Sequence, residues 1–332
     1  MLLPSLPERF ADLGFGPLAP IATLRSIAQL FGASKPRCGI YLLEFPEHRF
    51  YIGQAVEVVR RFAQHQKNYE EIVGFSFIPT PRTHLDEVER ELIRKAEGLG
   101  LVMLNTVHTS NVVGDTDLDM VVSPNDQAEW LSHPAEFNDG DTSSPIVLPV
   151  AQLERFAEQF RRFKAHRLVG PASYFLQTYV RHCIAAPKRT EYSFWVASCL
   201  PSTNRDTWPR LLCVSAGVME LLVIGYHKGR SSDMWGFVTV ASDVLSETFP
   251  TDDALAKAFP SMEVIRREYR DAGQHQITLH ANNEQCMKVI LRNNAVRRAA
   301  AVLALRVMRK RATIYAKFHC KQLAGVAMAG VG

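Results

Sequence analysis

The chain has 332 residues, a formal net charge of +4, and 47% hydrophobic residues. This length allows two domains that each bury a core, and the composition is that of a globular protein. The sequence has no run of about 18 apolar residues and no secretory signal at its start, so we expect no membrane span and a cytoplasmic location. The six cysteines are scattered singly, which gives no support to a zinc site.

Charge is distributed unevenly along the chain. Residues 1–110 carry 12 Lys/Arg and 12 Asp/Glu, residues 111–150 carry 8 acids and no base, and residues 151–332 carry 26 bases and 14 acids. The basic second half predicts a polyanionic partner. The acidic segment 131–148 is also rich in Pro, Gly and Ser, and we interpret it as a linker.

The first half predicts a compact α+β domain over residues 37–130, preceded by a helical extension over residues 1–36 with helical spacing at 20–31. Turn residues Pro46–Arg49 separate two apolar runs and predict a hairpin. The elements expected here are strands at 38–45, 50–53, 74–79 and 101–104, and helices at 55–66 and 83–97.

The second half, residues 149–332, predicts a separate basic α+β domain for substrate or partner binding. Alternating apolar runs predict strands, and 3.6-residue spacing predicts helices. The elements expected here are strands at 192–199, 210–215, 219–224, 235–240 and 276–280, helices at 149–164 and 252–269, and one long helix at 284–322.

Two tripeptides stand out in the first hairpin, Gly39-Ile40-Tyr41 and Tyr51-Ile52-Gly53, and Arg61, His65, Glu89 and Asn105 follow them. Over residues 37–107 the chain resembles the GIY-YIG nucleases. The resemblance implies a small catalytic domain with a three-stranded antiparallel sheet and flanking helices. It also implies an Mg²⁺ (or Mn²⁺) cofactor and hydrolysis of nucleic-acid phosphodiester bonds, with DNA favoured over RNA.

Glu89 lies in the middle of an apolar helix face formed by Leu85, Val88, Leu92 and Ile93. A carboxylate in such a place must be neutral, paired or bound to a metal. One interpretation is a buried ion pair, for example with Arg61. The resemblance favours the other, a single magnesium ligand completed by waters and phosphate.

Arg61 and His65 are i, i+4 neighbours at the edge of an apolar helix stripe. An arginine whose stem covers apolar surface and an ordinary surface histidine would give the same pattern. The guanidinium fork of Arg61 also suits the charge that grows on a phosphoryl group during transfer. We therefore treat both residues as candidate catalytic groups.

The resemblance implies that Tyr41 takes a proton from the attacking water and that Tyr51 lines the same pocket. A phenol with a pKa near 10 is a poor base at neutral pH unless a cation or a metal-bound hydroxide lies next to it. Tyrosine is also a common packing residue in strands, and a slip of one residue in the hairpin would turn either ring to the opposite face. The sequence leaves the register of the hairpin open.

Gly53 and Asn105 are supporting positions in this interpretation. Gly53 ends a strand where another group can approach closely. The resemblance implies that Asn105 joins loops around the site by hydrogen bonds. Gln54 stands where many family members have a small hydroxyl residue or a lysine.

The segment 285–321 contains ten Lys/Arg and no acid. We name Arg297, Arg298, Arg309, Lys310 and Arg311 as candidate nucleic-acid contacts. The alternative is that these side chains form the solvated face of a core helix.

Two other functions stay open. The first half can keep the nuclease fold as a non-catalytic nucleic-acid-binding or assembly module. The main chemistry can also lie in the second half, where His227, His275 and His280 are available. No nucleophile elbow, phosphate loop or metal-ligand spacing accompanies these three histidines.

Overall fold

The structure, a computed structural model, describes residues 5–21, 24, 26–32, 35–68, 71–105, 116–144, 146–266 and 273–329. The chain divides into two compact units, Met1–Gly114 and Asp115–Gly332. Both units combine helices with an antiparallel-dominated sheet, which confirms the predicted α+β class. Within the described residues no helix is both long enough and apolar enough to cross a bilayer.

The first unit is a five-stranded sheet with helices on both faces. The sheet order is β1-β4-β2-β3-β5, in which β5 runs parallel to β3 and the other neighbours are antiparallel. Its helices are α1 (Leu6–Asp12), α2 (Val58–Asn68) and α3 (Leu85–Gly98), and its strands are β1 (Ala19–Pro20), β2 (Gly39–Phe45), β3 (Arg49–Ala55), β4 (Gly74–Pro79) and β5 (Val102–Met103).

Alternation along β2 and β3 assigns side chains to the two faces of this sheet. Ile40 and Ile52 are fully buried on one face, in a core with α1 and with the apolar stripe of α3. Tyr41 and Leu43 lie on the other face, in a core with Val58 and Phe62 of α2. The predicted antiparallel strands are the central three, β4-β2-β3, and two-residue strands extend the sheet at both edges.

The N-terminal segment differs from the helix predicted over 20–31. Pro20 lies in the edge strand β1, opposite Gly74, and Ile27–Leu30 forms a 3₁₀ turn. Residues 22, 23 and 25 lie outside the described part of the chain. A proline is compatible with an edge strand because its missing N–H can face away from the ladder.

The second unit is a six-stranded antiparallel sheet of order β10-β11-β9-β8-β7-β6. Helix α8 (Val169–Cys183) packs against both α13 (Asn294–Lys310) and α14 (Lys321–Met328), and the three helices cover the sheet in one large apolar core. The strands are β6 (Trp195–Cys199), β7 (Arg210–Ala216), β8 (Met219–His227), β9 (Arg230–Val240), β10 (Met262–Ile265) and β11 (Ile277–Ala281). The helices are α4 (Pro124–Ser132), α5 (Pro134–Asp139), α6 (Val150–Glu154), α7 (Ala157–Lys164), α8 (Val169–Cys183), α9 (Pro187–Thr190), α10 (Ser242–Ser246), α11 (Asp252–Ala258), α12 (Glu284–Arg292), α13 (Asn294–Lys310) and α14 (Lys321–Met328).

The domain boundary differs from the predicted one. The division falls at Gly114/Asp115, so residues 116–130 and the acidic segment 131–148 belong to the second unit and not to a linker. This segment folds because its polar groups find partners there: the Asn138 amide donates to the carbonyls of Arg181 and Ile184, and Asp139 pairs with the Arg181 guanidinium. The acids of the segment therefore neutralise part of the basic charge of this unit.

Three predicted helices of the second half are broken in the structure. The helix expected at 149–164 is interrupted at residues 155 and 156, between α6 and α7. The helix expected at 252–269 ends at Ala258, and Met262–Ile265 forms the edge strand β10, while residues 267–269 lie outside the described part of the chain.

The long helix expected at 284–322 is split at Asn293, whose extended backbone separates α12 from α13. It also ends at Lys310, and the last helix, α14, begins only at Lys321. The Asn293 side chain caps α13 by accepting from the amides of Ala295 and Val296.

Candidate functional site

The register of the first hairpin places both motif tyrosines on the same face of the sheet. Tyr41 pairs with Gly53 and Leu43 pairs with Tyr51, so the two phenols are diagonal neighbours. Their rings lie 6.2 Å apart between centroids with an interplanar angle of 29°. The hairpin register, which the sequence leaves open, therefore places both tyrosines on one face of the sheet.

The two motif glycines are positions of close approach. A Cβ on Gly53 would collide with the ring and hydroxyl of Tyr41 and would lie 2.7 Å from Cε1 of Tyr51. A Cβ on Gly39 would collide with the carbonyl of Ile78 on β4 and would lie 2.7 Å from the Phe77 ring. Both positions therefore exclude any side chain, and Gly53 does so because Tyr41 lies across it.

Helix α2 brings Arg61 and His65 to the tyrosines. The hydroxyl of Tyr41 lies 2.7 Å from Nε2 of His65, and Nε of Arg61 donates to the same hydroxyl at 3.4 Å. Arg61 and Tyr51 also interact electrostatically, and the Tyr51 ring lies 5.1 Å from the His65 ring. His65 is buried, with 7% of its surface exposed, so it is not the surface histidine that its position on the helix also allows.

The titration behaviour of this group follows from its burial. Burial raises the pKa of Tyr41 well above its ordinary value, the neighbouring phenol of Tyr51 adds to the rise, and the hydrogen bond from Arg61 opposes it. Burial also lowers the pKa of His65 to about 4, and the charge of Arg61 contributes. Near neutral pH, Tyr41 is therefore a protonated phenol and His65 a neutral imidazole.

These charge states assign the direction of the hydrogen bonds. The Tyr41 oxygen accepts from Arg61, and we assign its own proton to the hydrogen bond with Nε2 of the neutral His65 ring. This tautomer places the ring proton of His65 on Nδ1. In this assignment Arg61, Tyr41 and His65 form a chain in which Nε2 of His65 lies within reach of the Tyr41 proton.

Glu89 lies on α3 and is half-buried. Its Oε2 accepts a hydrogen bond from Nε2 of Gln54 at 3.0 Å, and the same nitrogen donates to Oδ1 of Asp86 at 2.6 Å. The charge of Glu89 also contributes to the raised pKa of Tyr41, so its carboxylate lies within electrostatic reach of the phenol.

Asn105 holds the middle of β3. Its Nδ2 donates to the carbonyl of Ile52 at 2.6 Å, and its Oδ1 accepts from the Ile52 amide at 3.0 Å. Asn105 is buried, with 5% of its surface exposed. A side chain that mimics a strand partner in this way fixes the backbone between Tyr51 and Gly53.

The carboxylate of Glu89 is the group of this unit that could hold a hard divalent ion, because oxygen is the donor that Mg²⁺ prefers. Glu89 contacts Gln54 on the α3 face of the sheet, whereas Tyr41 lies on the α2 face, and the charge of the carboxylate still reaches the phenol. Among the described residues, no group of three or more His, Cys, Asp or Glu side chains is arranged to hold a metal.

Asp86 is absent from the residues that the sequence singles out, and Gln54 is noted there only as a departure from the family pattern. The signal for Asp86 is its position three residues before Glu89, on the same side of α3. The signal for Gln54 is strand parity, because it lies two residues after Ile52 and so points to the α3 face. Neither signal stands out without the fold.

The basic residues of the second unit have mostly structural partners. Arg309 pairs with Asp119 at 3.0 Å and donates to Gln127 at 2.7 Å, and Arg298 pairs with Glu247 at 2.8 Å. Arg297 lies 3.2 Å from His182. Lys310 ends α13, and Arg311 follows as an exposed residue. These contacts favour the interpretation that the basic residues belong to a core helix over the interpretation that they form a row of cations for binding nucleic acid.

The three histidines of the second unit do not form a cluster of catalytic type. His227 and His280 pack near Trp208, at 5.3 Å and 6.1 Å between ring centroids, and His280 also stacks on Trp235. His275 precedes β11, beside Gln274. Packing on tryptophan explains two of the three positions.

No family model matches the chain, and neither the curated proteins nor the solved structures give a significant match to it.

Proposed function

We propose that the first unit is a GIY-YIG-type endonuclease that hydrolyses nucleic-acid phosphodiester bonds with the help of a divalent metal ion. The observation that carries the proposal is the Tyr41 hydroxyl, which is hydrogen-bonded to both His65 and Arg61. A packing tyrosine needs neither partner. The three antiparallel strands β4-β2-β3, with α2 on one face and α3 on the other, also fit the fold that the resemblance implies.

The nucleophile in this proposal is a water molecule next to Tyr41. The raised pKa of Tyr41 means that it does not act as a standing phenolate. Instead, the phenol passes its proton to Nε2 of His65 while its oxygen takes a proton from the attacking water. The hydroxide forms the new P–O bond, the bond to the leaving oxygen breaks, that oxygen takes up a proton from solvent, and the proton held on His65 is released to solvent.

Arg61 supports the same step electrostatically. Its guanidinium is always charged and already lies against both phenols, so it can face the non-bridging oxygens as negative charge grows on phosphorus. Glu89 would hold the metal ion. A bound Mg²⁺ supplies charge neutralisation at the phosphate and lowers the pKa of a coordinated water.

The test is cleavage of plasmid, single-stranded DNA and structured RNA with Mg²⁺ or Mn²⁺, and with chelator as a blank. Tyr41→Phe, Arg61→Ala and Glu89→Gln should each abolish most cleavage. The matched controls are Arg60→Ala and Glu91→Gln, which change exposed neighbours on the same two helices and should cut like the wild type. Equal cleavage by all six proteins would place the activity elsewhere or in a contaminant. Binding without cleavage would favour the non-catalytic module.

A further inference from the structure

The side-chain amide of Gln54 is shared between two carboxylates. Its Nε2 lies 2.6 Å from Oδ1 of Asp86 and 3.0 Å from Oε2 of Glu89, so each oxygen can take one of the two amide hydrogens. Asp86 and Glu89 are i, i+3 neighbours on α3, and Gln54 reaches them from β3. One neutral group therefore fixes the position of two acids.

A neutral donor has a different effect here from a cation. A lysine or arginine at position 54 would form an ion pair with the acids and add a positive charge beside them. The amide of Gln54 orients the same oxygens and leaves the negative charge in place. The arrangement thus keeps two carboxylates together without a permanent counter-ion from this position.

We propose that Gln54 is a positioning residue for Glu89, and that Asp86 orients the Gln54 amide by accepting its second hydrogen. The proposal rests on the proposed function, because it gives the positioned carboxylate the role of a metal ligand. Outer groups that orient a ligand typically change metal affinity 10- to 100-fold when they are removed. Gln54 would act in this way without touching the metal.

The experiment measures binding of Mn²⁺ to the full-length protein by electron paramagnetic resonance, without nucleic acid. Gln54→Met keeps the length of the side chain and its packing on the strand but removes the donor. We expect it to weaken Mn²⁺ binding about tenfold. Gln66→Met is the matched control, since Gln66 donates its amide to the carbonyl of Leu24, and it should bind Mn²⁺ like the wild type.

The Asp86 part of the proposal has its own pair of variants. Asp86→Asn keeps an oxygen acceptor for Gln54, and we expect it to bind Mn²⁺ within about threefold of the wild type, since the asparagine Oδ1 can still accept the second hydrogen of the Gln54 amide. Asp86→Leu removes the acceptor and should approach the Gln54→Met value. Equal and large losses in both variants would show that Asp86 acts through its charge, which overturns its role as a positioning group.

A readout of cleavage separates positioning from packing. In Gln54→Met, the Mn²⁺ concentration for half-maximal cleavage should rise about tenfold, while kcat at saturating Mn²⁺ stays within about threefold and the melting temperature is unchanged. If Gln54→Met bound Mn²⁺ and cleaved like the wild type while Gln54→Ala lost Mn²⁺ affinity, the Gln54 side chain would only fill space. This inference would then fail while the proposed function would stand. Equal Mn²⁺ affinity in wild type and Glu89→Gln would show that Glu89 is not the metal ligand. The proposed function would then fail together with this inference.

Discussion

Tyr41 lies across Gly53, its partner on the neighbouring strand, so closely that a methyl group on Gly53 would overlap the phenol. Gly53, the last residue of the second tripeptide, must therefore be a glycine, because Tyr41 of the first tripeptide occupies the space that a side chain would need. The same contact directs the Tyr41 hydroxyl toward α2, where it is hydrogen-bonded to His65 and Arg61. The two tripeptides therefore act as one packing unit.

The first prediction concerns this contact. Gly53→Ala should push the Tyr41 ring away from His65, and a displacement of about 1 Å at a reacting group costs on the order of 100-fold in rate. The overpacking should also cost about 1–3 kcal/mol in the free energy of unfolding of the first unit. Single-turnover cleavage and circular dichroism measure the two effects. Gly16→Ala is the control, because a Cβ on Gly16 meets nothing within 4 Å. A fully active Gly53→Ala protein would contradict the role given to Tyr41.

The second prediction concerns the phenolic oxygen of Tyr41. Tyr41→Phe keeps the ring over Gly53 but interrupts the path from water to His65, and we expect kcat to fall about 100- to 1,000-fold. KM for DNA should change little, because the substrate-facing guanidinium of Arg61 remains. A loss of binding with kcat preserved would show that Tyr41 holds substrate and does not transfer a proton.

The third prediction is the pH dependence that follows from His65. Its pKa in the folded protein is lowered to about 4, whereas the unfolded chain has a value near 6.5. The unfolded state therefore binds more protons between these values, and the contribution of His65 to stability falls as the pH drops from 6.5 toward 4. The neutral acceptor persists over the same range, so His65 should not limit cleavage until the pH approaches 4.

Two measurements check the behaviour of His65. Nitrogen chemical shifts of the histidine rings, assigned with a His65→Gln variant, should show one ring that titrates near pH 4 and disappears in the variant. His182, whose pKa is also lowered to about 4, provides an internal reference. Titration of His65 near 6.5 would mean that the ring is hydrated and would undermine the proton path.

The parts of the fold that sequence predicts are those set by local pattern. The hairpin of β2 and β3 and the strand at 74–79 follow from alternation and from the turn at Pro46, and α3 follows from its apolar stripe. The shared face of Tyr41 and Tyr51 could not be predicted, because it depends on a register that the turn sets. Glu47 and His48 in that turn have left-handed φ values of 62° and 53°, which composition does not reveal.

The wrong predictions have a common physical cause. Contacts with residues that are distant in the sequence outweigh the structural preference of the local composition. Residues 131–148 resemble a linker until Asn138 is seen to satisfy the carbonyls of Arg181 and Ile184. The periodicity over 284–322 resembles one helix because apolar spacing continues across Asn293. There the side-chain cap was a readable signal, since asparagine is favoured as an N-cap.

The fourth prediction concerns Asn105. Asn105→Ala removes both hydrogen bonds to Ile52 and should lower the free energy of unfolding of the first unit by about 2–3 kcal/mol. Hydrogen exchange measured on a peptide that covers residues 49–55 should accelerate, because the Ile52 amide loses its acceptor. Tryptophan fluorescence should not change, since Trp130, Trp195, Trp208 and Trp235 all belong to the second unit. Unchanged exchange at β3 would show that the backbone is held by other groups.

The fifth prediction separates folding from nucleic-acid binding in the basic segment. Burial alone would raise the pKa of Asp119, but hydrogen bonds from Thr116 and Gln127 and the charge of Arg309 hold it below its ordinary value. Asp119 therefore stays ionised, and Arg309→Met would leave it without its cation.

We expect Arg309→Met to lower the free energy of unfolding of the second unit by about 2–3 kcal/mol, measured by tryptophan fluorescence in urea. Trp130 is a suitable probe because its helix α4 packs near α13. The slope of log affinity for DNA against log salt should change by less than about 1, the value expected for one phosphate contact. Asp119→Asn is the matched control, because it perturbs the same ion pair from the acidic side and should destabilise the unit without weakening DNA binding. A clear drop in the salt slope with unchanged stability would instead assign Arg309 to the nucleic-acid surface, as its place in an acid-free segment predicts.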